Sequence, residues 1–409
     1  MSDPPVVGSI LPRTVWTLAV VSLLNDAASE MIAPLLPIFL TATLGAGPAI
    51  VAMIEALGEA ASSVLKLIAG RWNDRGLSGR GLIIGGYGLA NLARPLLGFA
   101  STWGVVLTLR LLDRVGKGLR TAPRDALLSR SVPPQLRGRA FGLHRAFDHG
   151  GAMLGPIVAT LLLAAGVEMR TVFLLAGIFG FAVLLTLMTR LSGEEVRRLE
   201  PARNIGHAGE QAAGNAATTL TLRWATLTPS TRALLIAVMV LAAAAVPEVM
   251  VVLWAVDRGL AVQWVPLLWA AAHGLKALIA WRCGHWVDRY SARAVLQVGW
   301  PLRVLALVAL AFADATGIGV WLAFALYSAA LASTEAAERA LLADAVASSL
   351  RGTAYGLYNL TTGLAILPGA IVIGGLWQAY GSTMALAVSA AASAVACLIA
   401  VRLAPHGAR

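Results

Sequence analysis

Long apolar stretches separated by short polar connections dominate the hydropathy pattern of this chain. Hydropathy and helix-breaking residues divide the pattern into twelve such stretches. Most of them have about 20 residues or more, which matches the hydrocarbon thickness of a lipid bilayer. The pattern therefore predicts an all-α integral membrane protein with 12 transmembrane helices.

The amino-acid composition agrees with this interpretation. Of the 409 residues, 58% are hydrophobic and only 13% are charged, and the mean hydropathy is +0.75. A soluble globular protein carries about 25% charged residues, so a soluble fold is a poor alternative. The N-terminus has no small-residue cleavage site behind a short apolar core, which predicts a retained first helix rather than a signal peptide.

The distribution of charge predicts the topology. The formal net charge is +11, but the basic residues lie in connections between apolar stretches, so they do not indicate a nucleic-acid partner. With both termini cytoplasmic, the outer connections hold only Arg170 and Arg258, as the positive-inside rule requires. We expect a multi-pass protein of a bacterial-type inner (plasma) membrane. The two cysteines, Cys283 and Cys397, provide neither a disulfide framework nor a thiolate metal cluster.

Two short sequences recur at the same distance along the chain. The sequence GRWNDR begins at Gly70 and GHWVDR begins at Gly284, an offset of 214 residues. The sequence RGRAFGL begins at Arg137 and RGTAYGL begins at Arg351, again with an offset of 214. Two matches in one register indicate an internal repeat.

The repeat predicts two homologous six-helix bundles in parallel orientation. We expect an N-terminal bundle over residues 1–192 and a C-terminal bundle over residues 230–409. Residues 193–229 are polar and rich in glycine and alanine, which predicts a cytoplasmic linker. Such an architecture places a cavity between the bundles near the bilayer midplane.

The repeated segments resemble the signature loop of the major facilitator superfamily, and the resemblance covers essentially the whole chain. The signature positions in the two copies are Gly70, Asp74, Arg75, Arg80, Gly284, Asp288, Arg289 and Arg293. Motifs similar to those of proton-coupled members and antiporters lie in the fourth and fifth helices, at Arg110, Gly116, Gly118, Gly151, Gly155 and Pro156. The resemblance implies two pseudo-symmetric bundles that move a solute by alternating access, as in drug:proton antiporters.

The resemblance also implies a conformational latch on the cytoplasmic side. Asp74 and Arg75 would pair with basic side chains and with the positive N-terminal dipole of the eleventh helix. The alternative is that these charges only anchor the topology. The signature departs from the family pattern at Leu77, where a glycine is usual, and the fourth-helix motif departs from it at Asp113 and Arg114.

Acidic residues inside the apolar stretches are the candidates for proton coupling. Asp26 and Glu30 are four residues apart and share one face of the first helix, and Glu59 lies in the second. A carboxylate near the bilayer centre costs about 3 kcal/mol, so it should face a wet cavity or a partner. Two nearby acids cannot both ionise cheaply, which favours proton binding; a buried structural ion pair is the alternative. His144 and Asp148, on adjacent turns of the fifth helix, are further candidates.

Charged and aromatic residues elsewhere are candidates for a substrate cavity. Arg110, Asp113, Arg114 and Lys117 follow a spacing of three to four residues and form one stripe on the fourth helix. This stripe either pairs with acids of the first two helices or lines a cavity for an anionic substrate. The residues proposed for the cavity are Arg114, Lys117, Glu248, His273, Lys276 and Trp254.

These features predict a proton-coupled secondary transporter that exports small organic molecules of the multidrug type. A proton symporter that imports an organic anion is the alternative within the same class. A metal-ion transporter is less well supported, because the chain has no H-x-x-x-H sequence or methionine-rich stripe. A membrane enzyme or a sensor is the alternative outside transport, although no nucleotide-binding, nucleophile-elbow or zinc-protease motif occurs. We expect a monomer whose partners are substrate, protons and lipid, without a cofactor, resident metal or nucleic acid.

Overall fold

A computed structural model shows an α-helical chain. Helices account for the regular secondary structure of the described residues. The residues that the structure describes are 11–74, 77–133, 136–191, 193–194, 229–312, 317–344 and 351–403. Most of the predicted linker, 193–229, lies outside them.

Six long helices make up the first half of the described chain. They are α1 (Arg13–Ile32), α2 (Pro48–Asp74), α3 (Gly79–Leu96), α4 (Trp103–Arg130), α5 (Arg137–Ala164) and α6 (Met169–Arg190). After α1 the chain continues through a single turn at Leu36–Ile38 and a wider π-helical turn at Phe39–Thr43. Prolines at positions 34 and 37 lack the backbone N–H that a continuous α-helix would need there, which explains the break.

The described residues of the second half form six further α-helices. They are α7 (Pro229–Ala243), α8 (Glu248–Asp257), α9 (Val265–Tyr290), α10 (Ala292–Phe312), α11 (Ile318–Asp344) and α12 (Arg351–Leu403). The seventh predicted stretch is thus interrupted before Pro247, which caps the start of α8. Within α12, Gly381 has a φ of 85°, a left-handed conformation that glycine adopts readily, and this residue divides the helix into two segments.

Eight helical segments of the described residues are long and apolar enough to cross a bilayer. Helix α4 is not among them, because seven charged residues between Arg110 and Asp125 lower its hydropathy. The predicted all-α membrane class is therefore confirmed. The count of twelve transmembrane helices and the bundle boundaries stay predictions.

Apolar packing joins the two halves at one end of the molecule, whereas each apolar cluster that the described residues form at the other end belongs to one half. One cluster combines residues of both halves, including Phe39 after α1 and Trp254 in α8. A second cluster, around Leu128, contains only residues of the first half. A third, around Leu296 and Ala396, contains only residues of the second half. We call the end near Phe39 and Trp254 the joined end and the end near Leu128 and Ala396 the split end.

Two helix pairs carry most of the contact between the halves, α2 with α12 and α5 with α9. Small residues bring α2 and α12 close together near the joined end, where a Cβ atom on Gly374 would lie 2.8 Å from the Cβ of Ala52. In the other pair, a Cβ on Gly274 would lie 3.6 Å from the Cε of Met153. The two halves therefore meet along two helix pairs, and α2 and α12 approach each other most closely near Gly374.

Glycines of the fifth-helix motif hold α5 against α1. A Cβ atom on Gly151 would collide with the carbonyl of Leu23, and one on Gly155 would collide with the carbonyl of Ala27. Small residues at such positions let transmembrane helices approach closely, and close packing is a main source of helix association in lipid. This crossing fixes the position of the acidic residues of α1.

Gly155→Ala should destabilise the protein, because the added methyl group forces α5 away from the Ala27 carbonyl. Overpacking of this kind costs about 1–3 kcal/mol. Gly142→Ala is the matched control in the same helix, since a Cβ there meets no atom within 4 Å. Thermal unfolding of the detergent-solubilised variants should show a lower Tm for Gly155→Ala alone. Equal Tm values would contradict the proposed close crossing.

Candidate functional site

A buried ion-pair network occupies the interior of the first half. Arg110 donates to both carboxylate oxygens of Glu55, at 2.9 and 3.0 Å, and lies 3.4 Å from Asp113. Arg94 donates to the other oxygen of Asp113 at 2.9 Å. Arg94, Arg110 and Asp113 are each less than 5% exposed. The network therefore ties α2, α3 and α4 together through paired charges.

Arg94 also links this network to α1, a contact that the sequence analysis did not predict. Its Nη1 donates to the backbone carbonyl of Asn25 at 3.1 Å and to the side-chain oxygens of Asn25 and Asn91 at 3.0 Å. The available signal was a basic residue in the apolar stretch that became α3, next to Pro95. Such a residue needs a buried partner in lipid, by the same reasoning that selected Asp26.

Glycines on α2, α3 and α4 make room for the charged stripe. A Cβ on Gly58 would lie 2.9 Å from the Cγ of Arg114, so a larger residue at this position of α2 would have to displace the arginine. A Cβ on Gly116 would collide with the carbonyl oxygen of Gly86, and a Cβ on Gly118 would lie 2.6 Å from the Cβ of Leu65. The stripe predicted on α4 thus pairs with Glu55 of α2, with Arg114 3.6 Å from that carboxylate.

The two acids of α1 differ from the acids in this network. Asp26 accepts a hydrogen bond from the side-chain amide of the adjacent Asn25 at 2.9 Å. Among the described residues, neither Asp26 nor Glu30 has a lysine or arginine nitrogen within 4.0 Å. Although they share one face of α1, they contact different groups.

Glu30 connects the two halves of the molecule. Its carboxylate accepts a hydrogen bond of 2.8 Å from the indole nitrogen of Trp269, which lies in α9. The imidazole of His273, one turn further along α9, lies 3.9 Å from the same oxygen. The side chains of Glu30 and His273 are each 21% exposed, so this contact is not sealed from water.

A second ion pair lies beside this contact. Lys276 donates to both carboxylate oxygens of Glu248 at 2.8 and 2.9 Å, and its Nζ lies 5.8 Å from the centre of the Trp269 ring. Glu248 is the first residue of α8, where the helix dipole favours a negative charge. The side chains of Lys276 and Glu248 are 20% and 22% exposed.

We refer to Glu30, Glu248, Trp269, His273 and Lys276 as the inter-half cluster. Three of its members, Trp269, His273 and Lys276, recur at intervals of four and three residues along one face of α9. The structure thus brings together three of the residues predicted for a substrate cavity and one predicted for proton coupling. Trp269 was not among the predicted site residues.

The other predicted proton-coupling residues lie within the first half. Asp148 accepts a hydrogen bond from the hydroxyl of Ser22 and lies 3.7 Å from Nδ1 of His144 and 3.6 Å from Arg145. His144 is only 2% exposed, and its Nε2 has no hydrogen-bond partner among the described residues. Glu59 lies 3.8 Å from Lys66, with both side chains partly exposed.

Three other predicted residues, from the cavity and helix-motif sets, have different surroundings. Trp254 is fully buried at the joined end. Lys117 is half-buried. Pro156 lies inside α5, and its carbonyl accepts a hydrogen bond from Thr160.

The predicted latch is only partly described. A Cβ on Gly70 would lie 3.6 Å from Ala122 of α4, and Nε of Arg80 donates to the carbonyl of Leu191 at 3.0 Å. Arg289 lies with its guanidinium 5.3 Å from the ring of its neighbour Tyr290. Arg75 and the side-chain surroundings of Asp74, Gly284 and Asp288 lie outside the described residues. The latch stays a prediction.

Comparison with known proteins shows one family over most of the chain. The family model of the Major Facilitator Superfamily matches residues 18–367. An uncharacterized MFS-type transporter of Methanocaldococcus jannaschii is 29% identical over 387 residues, 92% of this chain and 93% of that protein. An uncharacterized protein of Mycobacterium tuberculosis is 31% identical over 406 residues, 96% of this chain and 93% of that protein. Multidrug resistance protein MdtH of Aeromonas hydrophila is 27% identical over 173 residues, 42% of this chain and 43% of that protein.

Solved structures agree on the fold. The nucleoside transporter NupG superposes with a TM-score of 0.76 at 15% identity, over 96% of this chain and all of that one. A bacterial homologue of the human lysosomal transporter Spinster superposes with a TM-score of 0.75 at 15% identity, over 97% of each chain. With the family match and the helical membrane architecture, these similarities confirm the resemblance found in the sequence. The chain belongs to the Major Facilitator Superfamily and is a multi-pass membrane transporter.

Proposed function

We propose that this transporter exports small organic cations in exchange for protons, and that Glu30 binds the proton. The observation that carries the proposal is the hydrogen bond between Glu30 of the first half and Trp269 of the second. This acid bridges the halves without a lysine or arginine within 4.0 Å among the described residues. A change in its protonation therefore acts directly on a contact between the moving parts.

The effect of protonation follows from the strength of the bond. An ionised carboxylate accepts an indole N–H more strongly than a neutral carboxylic acid does. Proton binding to Glu30 therefore weakens the contact with Trp269 and favours conformations in which the halves separate there. A ligand shifts a conformational equilibrium only by its different affinity for the two states, and the proton on Glu30 provides such a difference.

The charge of the inter-half cluster supports a cationic substrate. With neutral His273, the charges of Glu30, Glu248 and Lys276 leave one net negative charge. An organic cation can take the place of the indole N–H beside the Glu30 carboxylate. Because cation and proton then compete for one carboxylate, binding of one releases the other. The partial similarity to a protein named for multidrug resistance supports the same direction.

The packing of the two ends fits the cytoplasm-facing step that an export cycle shares with an import cycle. Under the predicted topology the split end faces the cytoplasm. The joined end, where Phe39 and Trp254 share one cluster, then closes the outer side. This is the arrangement from which an exporter loads its substrate.

Import of an organic anion together with a proton is the second candidate. It would use basic side chains such as Arg114 and Lys276 as a clamp, but these are already paired with Glu55 and Glu248. The two candidates differ in direction. Accumulation of the substrate in everted vesicles that are acidified inside favours export, and proton-driven uptake into whole cells favours import.

Glu30→Gln should abolish the pH dependence of cation binding. For the wild type, the affinity for tetraphenylphosphonium should rise with pH by up to about tenfold per unit while Glu30 loses its proton, since one proton leaves for each cation bound. The amide cannot ionise, so its affinity should be lower and independent of pH. Calorimetric titration of the purified protein at several pH values measures both effects.

Asp125→Asn is the matched control for this experiment, because the Asp125 side chain is 44% exposed and pairs with its neighbour Arg124. It should keep the pH dependence of the wild type. If the affinity for tetraphenylphosphonium rises as the pH falls, the cation and the proton do not compete, and symport is favoured. A Glu30→Gln variant that retains the wild-type pH profile would place the proton elsewhere, for example at Asp26.

Trp269→Phe should open the joined end, because the ring remains while the indole N–H that binds Glu30 is lost. A hydrogen bond to a charged group contributes about 1.5–3 kcal/mol, so the population of open molecules should rise at least tenfold. Distances between spin labels at the exposed positions Thr43 and Tyr380 report this opening. Trp264→Phe removes an exposed indole just before α9 and should leave the distances unchanged. Identical distance distributions for both variants would contradict a role for the Glu30 contact.

A further inference from the structure

A groove lies on the surface of the second half, away from the inter-half cluster. Helices α9, α10 and α11 form it, and it encloses about 300 Å³. Small residues line part of it, and larger apolar residues line the rest. The lining residues are Cys283, Trp286, Tyr290, Ala294, Val295, Val298, Gly299, Leu302 and Ser333.

The groove has an apolar lining and opens sideways. The hydroxyl of Ser333 donates to the carbonyl of Ala330 at 2.8 Å, so this donor needs no hydrogen-bond partner from a bound molecule. Trp286, Tyr290 and Val298 are 44%, 59% and 70% exposed on the surface of a bundle that faces lipid. The shape and chemistry suit a hydrocarbon chain that enters from the bilayer.

The absence of a side chain at Gly299 helps to shape this groove. A Cβ there would lie 2.6 Å from Thr334 and 2.9 Å from the hydroxyl of Ser333. Helices α10 and α11 therefore approach closely at this point. The surface at Gly299 therefore forms part of the groove, and Val298 and Leu302 line the groove beside it.

Two arginines lie at the end of the groove where α9 turns into α10. Helix α9 ends at Tyr290 and α10 begins at Ala292, and Ser291 between them has a φ of 104°. Arg289 and Arg293 flank this turn, and both are exposed. The guanidinium of Arg289 lies 5.3 Å from the ring of Tyr290, which lines the groove.

We infer that this groove binds an anionic phospholipid, with an acyl chain in the groove and the phosphate near Arg289 and Arg293. The turn belongs to the predicted cytoplasmic side, where the leaflet is rich in anionic lipids. From Ala294 to Leu302 the groove follows α10 for about 12 Å at 1.5 Å per residue, a depth suited to the upper part of an acyl chain. The arginines at the turn thus match the position of a lipid headgroup, and the apolar groove below them matches the position of its acyl chain.

The site lies on α9, the helix that carries Trp269 and Lys276 of the inter-half cluster. A bound lipid would therefore restrain a helix that contributes to the contact between the halves.

Quenching of Trp286 by lipids with brominated acyl chains tests this inference. The full-length protein is placed in nanodiscs that contain brominated phosphatidylglycerol or brominated phosphatidylcholine, and the signal of Trp286 is obtained by difference from Trp286→Phe. Phosphatidylglycerol should quench Trp286 at lower mole fractions than phosphatidylcholine. An Arg289→Gln, Arg293→Gln double variant should lose this preference, by about fivefold for each arginine if each contributes about 1 kcal/mol.

Two further variants make the result specific. Arg130→Gln removes an exposed arginine from the split end of the first half and should leave the preference intact. Ala294→Phe fills the groove from the surface of α10 and should reduce quenching by both lipids. Equal quenching by the two lipids, or a preference that survives loss of both arginines, would overturn the inference. Quenching that Ala294→Phe does not change would show that no chain occupies the groove.

Discussion

A charge inside the apolar part of a membrane must be paired or hydrated, and the arrangement of this transporter follows from that constraint. In the first half, four of the buried charged side chains pair with one another. Arg94, Arg110, Asp113 and Glu55 form contacts of 2.9–3.4 Å in a buried interior. Removing one partner from such a network leaves an uncompensated buried charge, which costs about 3–5 kcal/mol. The network therefore holds α2, α3 and α4 in one arrangement, and the bonds from Arg94 to Asn25 extend that arrangement to α1.

The inter-half cluster satisfies the same constraint in a different way. Its charged side chains are about one-fifth exposed, and Glu30 relies on an indole N–H and a distant imidazole rather than on a close cation. Partial hydration makes it less costly to break these contacts than those of the buried network. The difference supports a division in which the first half moves as one body and the contact between the halves changes during transport.

Helix breaks position the groups that take part in this contact. Pro247 is the N-cap of α8, so Glu248 begins that helix, where the positive end of the helix dipole and Lys276 both stabilise its carboxylate. Glycines allow the close packing of helices in the same region. Gly151 and Gly155 let α5 pack closely against the part of α1 that carries Asp26 and Glu30. Backbone features without charge thus decide where the charged side chains can meet.

The sequence by itself determined the all-α membrane class and the family, and it showed the internal repeat, because hydropathy, spacing and motifs are local properties of the chain; Glu30 was one of its candidates for proton coupling. It left open whether the stripe on α4 pairs with acids or lines a cavity for an anionic substrate. Only the tertiary structure decided that the partner on α2 is Glu55, that Arg94 joins the network, and that Glu30 contacts Trp269, 239 residues away. Helical periodicity defines which residues share a face, but which faces meet depends on the packing of distant helices.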